Sequence, residues 1–240
     1  MLTLDYAKDP LVLVDPDDNQ VETPVSSQVF LHIGASLPLW DRLNVSLDLP
    51  IAVAQGGDDA AAGSVLSSAD GAQVGDLRLG FRGRIFGDYW EDAIQISAGA
   101  YLFMPTGAAD SYVSDGSIYA QPHVLLGGRV SHFVWSSTLG VMVRASDNPN
   151  TFNYGLGGHY MLLDDTLGIG PEVFGSVGFS SDALPTSGTS TIERKSSVNA
   201  EILGTVKYRF LEDFTVGAGF GPGLVGGVGT PAYRGLLQVA

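Results

Sequence analysis

Along much of this chain apolar and polar residues alternate with a period of two, the signature of a β-strand whose two faces meet different surroundings. From Arg42 to Val53 the odd positions are Leu43, Val45, Leu47, Leu49, Ile51 and Val53, whereas the even ones are Arg42, Asn44, Ser46, Asp48, Pro50 and Ala52. The segment before it sets Val29, Leu31, Ile33, Ala35, Leu37 and Leu39 against Gln28, Phe30, His32, Gly34 and Ser36. Asp76 to Phe86 sets Leu77, Leu79, Phe81, Gly83 and Ile85 against Asp76, Arg78, Gly80, Arg82 and Arg84. Carried along the chain, this pattern predicts twelve strands, near residues 2–14, 27–38, 42–54, 74–87, 92–105, 117–130, 132–145, 152–163, 166–179, 197–209, 213–223 and 231–240. Several are 12 to 14 residues long. An ordinary strand has about 5 or 6, and a tilted strand crossing a bilayer needs about 9 to 11.

The connections alternate between long and short. The long ones are 15–26, 55–73, 106–116, 146–151, 180–196 and 224–230. The short ones are Leu39-Trp40-Asp41, Asp88-Tyr89-Trp90-Glu91, Ser131, Asp164-Asp165 and Leu211-Glu212. Long outer loops and short periplasmic turns, on an even number of strands, are the pattern of a transmembrane β-barrel. Twelve strands also bring both termini to the periplasmic side. The polar face decides between this fold and a soluble sandwich. It carries Gly155, Gly157, Gly168, Gly170, Gly217, Gly219, Gly221 and Gly223, where a soluble exterior would carry Lys, Glu and Thr. Trp40, Tyr89, Trp90, Phe133, Trp135, Phe210 and Phe214 fall beside the short turns, where an aromatic girdle belongs. The fold expected is therefore all-β: one transmembrane, antiparallel, up-and-down barrel of about 12 strands spanning residues 1–240, set in the bacterial outer membrane and solvated by its lipid.

Composition narrows the chemistry. Only 16% of the 240 residues are charged and 45% are hydrophobic, and no apolar run is long enough for a membrane-spanning helix. Twelve basic against 26 acidic residues give a net charge of −14, which argues against a nucleic-acid partner. The six long loops hold twelve of those acids and two bases, Arg194 and Lys195, so one end of the barrel is strongly acidic. There is no cysteine, hence no disulfide, thiolate metal site or thiol nucleophile. No basic, then apolar, leader follows Met1, so export is either not required or already completed at this N-terminus.

The run Ser27-Gln28-Val29-Phe30-Leu31-His32-Ile33-Gly34-Ala35-Ser36-Leu37-Pro38-Leu39-Trp40-Asp41-Arg42-Leu43, with Ser46-Leu47-Asp48-Leu49-Pro50 after it, resembles the second hairpin of OmpA-like outer-membrane proteins. Gly75-Asp76-Leu77-Arg78-Leu79-Gly80, Phe103-Met104-Pro105-Thr106-Gly107, Tyr208-Arg209-Phe210 and Gly219-Phe220-Gly221-Pro222-Gly223 are similar to motifs of such barrels. The resemblance covers nearly the whole chain, but its motifs are structural. It implies a barrel with an envelope-anchoring role, joined in those proteins to a C-terminal peptidoglycan-binding domain. That domain is expected to be absent, since the sequence stops at Ala240 where the last strand should finish. A peptidoglycan partner would have to act through a domain outside this chain.

Candidate site residues come from the inward face. His32, His123 and His159 fall there on separate strands without metal-ligand spacing, so they read as lumen-lining residues, and no metal is implied. Asp58, Asp59 and Asp70 lack the spacing of a calcium loop. No G-x-S-x-G elbow occurs, and Gly217 to Gly223 precede no helix, so neither a hydrolase nor a phosphate loop is indicated. Arg78, Arg82 and Arg84 share one side of the fourth predicted strand, and Glu172 and Glu201 lie five to six strands away. Twelve tilted strands enclose roughly 24 Å, of which two opposed side chains span about 10 Å, so the basic and acidic walls would face each other across water. Such an arrangement screens solutes by charge. The competing expectation is that each charge pairs locally with Asp48, Asp76, Lys207 or Arg209, which would fill the interior. The functions expected are an OmpA-like structural barrel or, alternatively, a passive porin-like pore for small hydrophilic solutes, with no enzyme activity and no cofactor. A membrane-embedded lipase is the most remote alternative.

Overall fold

In a computed structural model of the chain the described residues are 1–14, 20–58, 69–88, 90–108, 112–146, 148–179, 198–211, 214–227 and 229–240. The strands are β1 (Leu2–Val14), β2 (Gln20–Leu39), β3 (Leu43–Gly56), β4 (Gln73–Val74), β5 (Leu77–Phe86), β6 (Gln95–Met104), β7 (Tyr119–Val130), β8 (Phe133–Arg144), β9 (Thr151–Leu162), β10 (Leu167–Gly178), β11 (Val198–Leu211), β12 (Phe214–Val225) and β13 (Tyr233–Val239). Twelve are long staves. The two-residue β4 only extends the edge of β3, pairing with Ile51 and Ala52. Each stave pairs antiparallel with its neighbours in sequence, and β1 pairs with β13 from Leu2↔Val239 to Lys8↔Tyr233, which closes the ring.

The ring forms because of the alternation described above. Each strand offers one apolar face, and closure leaves no unpaired edge in the hydrocarbon. Leu4, Ile33, Leu47, Phe81, Leu139, Leu156, Ile169, Val206, Val216 and Leu237 are all exposed on the outer surface. The short turns use left-handed backbone. Trp40 and Asp41 both have positive φ, and the Arg42 N–H donates to the Leu39 carbonyl at 3.3 Å, a hairpin turn whose twist matches the strands. Trp40, Trp90, Phe133, Phe210 and Phe214 stand exposed around that end. Tyr89, also expected in the girdle, lies outside the described residues.

Some predicted boundaries need correction. β2 begins at Gln20, seven residues before the predicted start, because it continues beside β1 through register shifts between Lys8 and Val14. The predicted strand at 74–87 is interrupted: Gly75 and Asp76 leave the ladder, and regular pairing resumes at Leu77. The connection after β5 runs to Ile94, longer than predicted, since β6 begins at Gln95. The loop residues 15–19, 59–68, 109–111, 147 and 180–197 lie outside the described set, and with them Asp59, Arg194 and Lys195.

Two outcomes follow. Leu47, outward on β3, should lose about 2 to 4 kcal/mol of folding stability in lipid when replaced by Arg, whereas Ser46→Arg on the inner face should lose much less. Equal losses would mean the faces are reversed. Because the chain has no cysteine, single-cysteine labelling is clean: on intact cells, Asp70→Cys should react with an impermeant maleimide and Asp41→Cys should not.

Candidate functional site: the barrel interior

The inward row of each strand is polar, but its charges are mostly paired. On the β3–β5 wall, Asp48 Oδ2 lies 3.1 Å from His32 Nδ1 and 3.2 Å from Arg78 Nη2. Arg78 also lies over the Tyr101 ring, 4.9 Å from its centroid, and Tyr101 stacks on His123 at 4.5 Å. Two glycines make this packing possible. The Ser46 hydroxyl and the Tyr101 ring occupy the space a side chain at Gly80 would fill, and His123 Nε2 lies 3.0 Å from where a Cβ at Gly99 would be. Lower on β5, Arg84 pairs with Asp88 in the turn. Asp88, outside the membrane, is held below the usual carboxylate range by the Trp90 N–H and then by Arg84.

Across the lumen, Lys207 Nζ lies 2.8 Å from Glu172 Oε1, and His159 Nε2 lies 2.8 Å from Thr205 Oγ1 and 3.4 Å from that same carboxylate oxygen. Arg234 on β13 donates to Glu201 on β11 through Nε at 2.7 Å and Nη2 at 3.1 Å, and to Asp5 on β1 through Nη1. It reaches β11 over β12 because Arg234 and Glu201 are each paired in register with a glycine, Gly221 and Gly223.

Of the two expectations, local pairing describes Arg78, Arg84, Glu172 and Glu201, and the opposed, unpaired arrangement is corrected for those four. Asp48 and Lys207 are among the expected local partners; Asp88 and Arg234 are not. Asp76 instead accepts from Ser114 Oγ at 2.6 Å, Asp115 N at 3.0 Å and Gly107 N at 3.3 Å, bracing the β6–β7 loop, while Arg209 reaches the Asp165 carbonyl. Arg82 is the exception. It is exposed, with no carboxylate partner among the described residues.

The charges outside ion pairs lie on both sides of the ring: Arg82 shares the β5 side with Asp76, a carboxylate held only by neutral donors, and the Arg234 cluster, one guanidinium against two carboxylates, shares the other side with Arg209, which rests on a carbonyl. Among inward residues nearer the short-turn end Ser36, Pro38, Arg82, Ser136, Lys207 and Arg209 are exposed but Ser97, Gly127 and Val134 are buried; toward the long loops Thr23, Asp48, Ala52, Asp76 and Glu201 are buried. The interior is thus wet around Arg82 and Lys207 and packed elsewhere along these rows.

Alternation places Arg234, Asp5 and Tyr101 on the inner face, yet sequence reasoning passed over them. An ionisable residue at membrane depth is a signal in itself. Among the described residues no three His, Asp or Glu side chains gather as a metal site. Ser131 Oγ lies 3.1 Å from His132 Nδ1, and the nearby Asp165 carboxylate pairs with Arg129 at 2.8 Å; among the described residues no carboxylate hydrogen-bonds that imidazole.

No protein family and no curated protein matches this sequence. Solved structures do. An outer membrane channel from Pseudomonas putida F1 superposes with a TM-score of 0.71 at 15% identity, covering 99% of this chain and 93% of that one. The NanC porin gives 0.59 at 8% identity, covering 100% and 97%. LpxR from Salmonella typhimurium gives 0.54 at 9% identity, covering 99% and 98%. Fold and comparisons together define the class: a twelve-stranded β-barrel of the bacterial outer membrane.

The Arg234 triad makes a clear prediction. Arg234→Met would strand the buried Glu201 carboxylate and the half-buried Asp5 carboxylate and should cost about 3 to 5 kcal/mol, read as a lower unfolding midpoint in detergent. Adding Glu201→Gln and Asp5→Asn should recover most of that loss.

Proposed function

We propose that this barrel is a passive channel for small hydrophilic solutes. The observation that carries the reading is Arg82, an exposed cation on the inner wall with no ion-pair partner among the described residues. A charge kept unpaired inside a barrel needs water around it, since its desolvation would otherwise go uncompensated. A fixed charge on the wall of a water-filled lumen screens the ions that enter it. Arg78, Arg84, Glu172, Glu201, His32, His123 and His159 then shape the lumen mainly through local pairs that fix its width. The reading involves no catalytic step and no cofactor.

The OmpA-like structural role is the second reading, supported by the local pairing of most inward charges and by the packed upper half. In that role the barrel anchors the envelope, with peptidoglycan held by a domain outside this chain. The two differ in what an open lumen does. In planar bilayers the channel reading predicts steady conductance, and Arg82→Glu should move the reversal potential in a KCl gradient toward the potassium value. Its stability in detergent should change by less than about 0.5 kcal/mol, as at other sites without specific contacts. Absence of conductance in the wild-type barrel would decide for the structural role.

A further inference from the structure

Asn44 and Arg82 oppose each other directly in the β3–β5 register, and Ser46 opposes Gly80 one inward position higher. Among the described residues none of the Arg82 guanidinium, the Asn44 amide and the Ser46 hydroxyl has a hydrogen-bond or ion-pair partner. Arg82 is exposed and the other two are half-buried, with the Ser46 hydroxyl set in the niche over Gly80 beside Tyr101. The surroundings fix the charge of the cluster. Asp48 neutralises Arg78 at 3.2 Å, and Arg84 is taken by Asp88. His123 gives its Nδ1 to the Gln121 carbonyl at 3.1 Å and turns Nε2 over Gly99 toward β5.

The geometry points to a binding station for a small monocarboxylate anion at Arg82, Asn44 and Ser46, an inference that rests on the channel reading above. A guanidinium presents paired N–H groups that match the two oxygens of a planar carboxylate. The Asn44 amide and the Ser46 hydroxyl add a donor to that carboxylate and an acceptor for a hydroxyl beside it. One residual positive charge suits one negative charge. A polyanion would leave its excess facing the acidic Asp5–Arg234–Glu201 wall. A single wet guanidinium also binds weakly enough to release its ligand, as conduction requires.

Acetate is the probe, measured in two ways: as a block of chloride current in reconstituted bilayers, and as line broadening of labelled acetate by the detergent-solubilised barrel. Arg82→Gln should weaken acetate binding about tenfold and Asn44→Ala about threefold, the scale of a charge-assisted and a neutral hydrogen bond. Arg42→Gln, at the periplasmic turn, should leave it unchanged, and inorganic phosphate should bind less well than acetate. Equal acetate binding by wild type and Arg82→Gln overturns the station, as does tighter binding of phosphate. A conducting barrel indifferent to acetate removes the station and leaves the channel reading intact. A barrel that binds acetate through Arg82 yet does not conduct removes the channel reading and keeps the anion site. Neither conductance nor binding overturns both.

Discussion

The structure depends on closing a hydrogen-bonded ring. In hydrocarbon an unpaired backbone N–H or carbonyl costs several kcal/mol, so a sheet can cross a membrane only when its last strand pairs with its first. The seven opposed pairs between β1 and β13, from Leu2↔Val239 to Lys8↔Tyr233, meet that requirement. Closure then sorts every side chain into one of two solvents. A slip of one residue in any ladder would exchange the faces, and Leu47 and Asp48, adjacent in sequence, show what is at stake: the first is exposed to lipid, the second buried against His32 and Arg78.

The interior has a different economy. Charges inside a barrel must find either partners or water, and here they find both. The upper half pairs them across strands, often over glycines that leave room for a long side chain. Arg234 passes over Gly221 and Gly223, and Tyr101 and His123 lie over Gly80 and Gly99. In the lower half the exposed inward residues keep Arg82 in water. The selectivity proposed for the lumen therefore rests on Arg82, the exposed cation among these inward charges. Most inward charges serve to hold the wall in shape.

The staves were legible because period-two alternation is strong when one face meets lipid and the other water. The boundaries of β2 and β5 were less so. Thr23, Pro24 and Val25 read as loop, yet they are buried beside β1, and Gly75-Asp76 reads as strand, yet Asp76 turns to hold the β6–β7 loop. The candidate site was legible as a face but not as a network. Which partner meets Arg78 or Glu201 depends on register and on the stagger of closure, and neither is written in the spacing of one strand. Lys207 and Glu172 lie 35 residues apart in sequence and meet diagonally across neighbouring strands.

The most direct test is a single-cysteine scan along β5, from position 77 to 86, in lipid vesicles. Spin labels at each position would be read for collision with oxygen, which partitions into hydrocarbon, and with a water-soluble nickel complex. The account predicts strict alternation: nickel access at 78, 80, 82 and 84, greatest at 82, and oxygen access at 77, 79, 81, 83 and 85. Uniform oxygen access, or alternation of opposite phase, would contradict a barrel with lipid outside and a wet, charged interior.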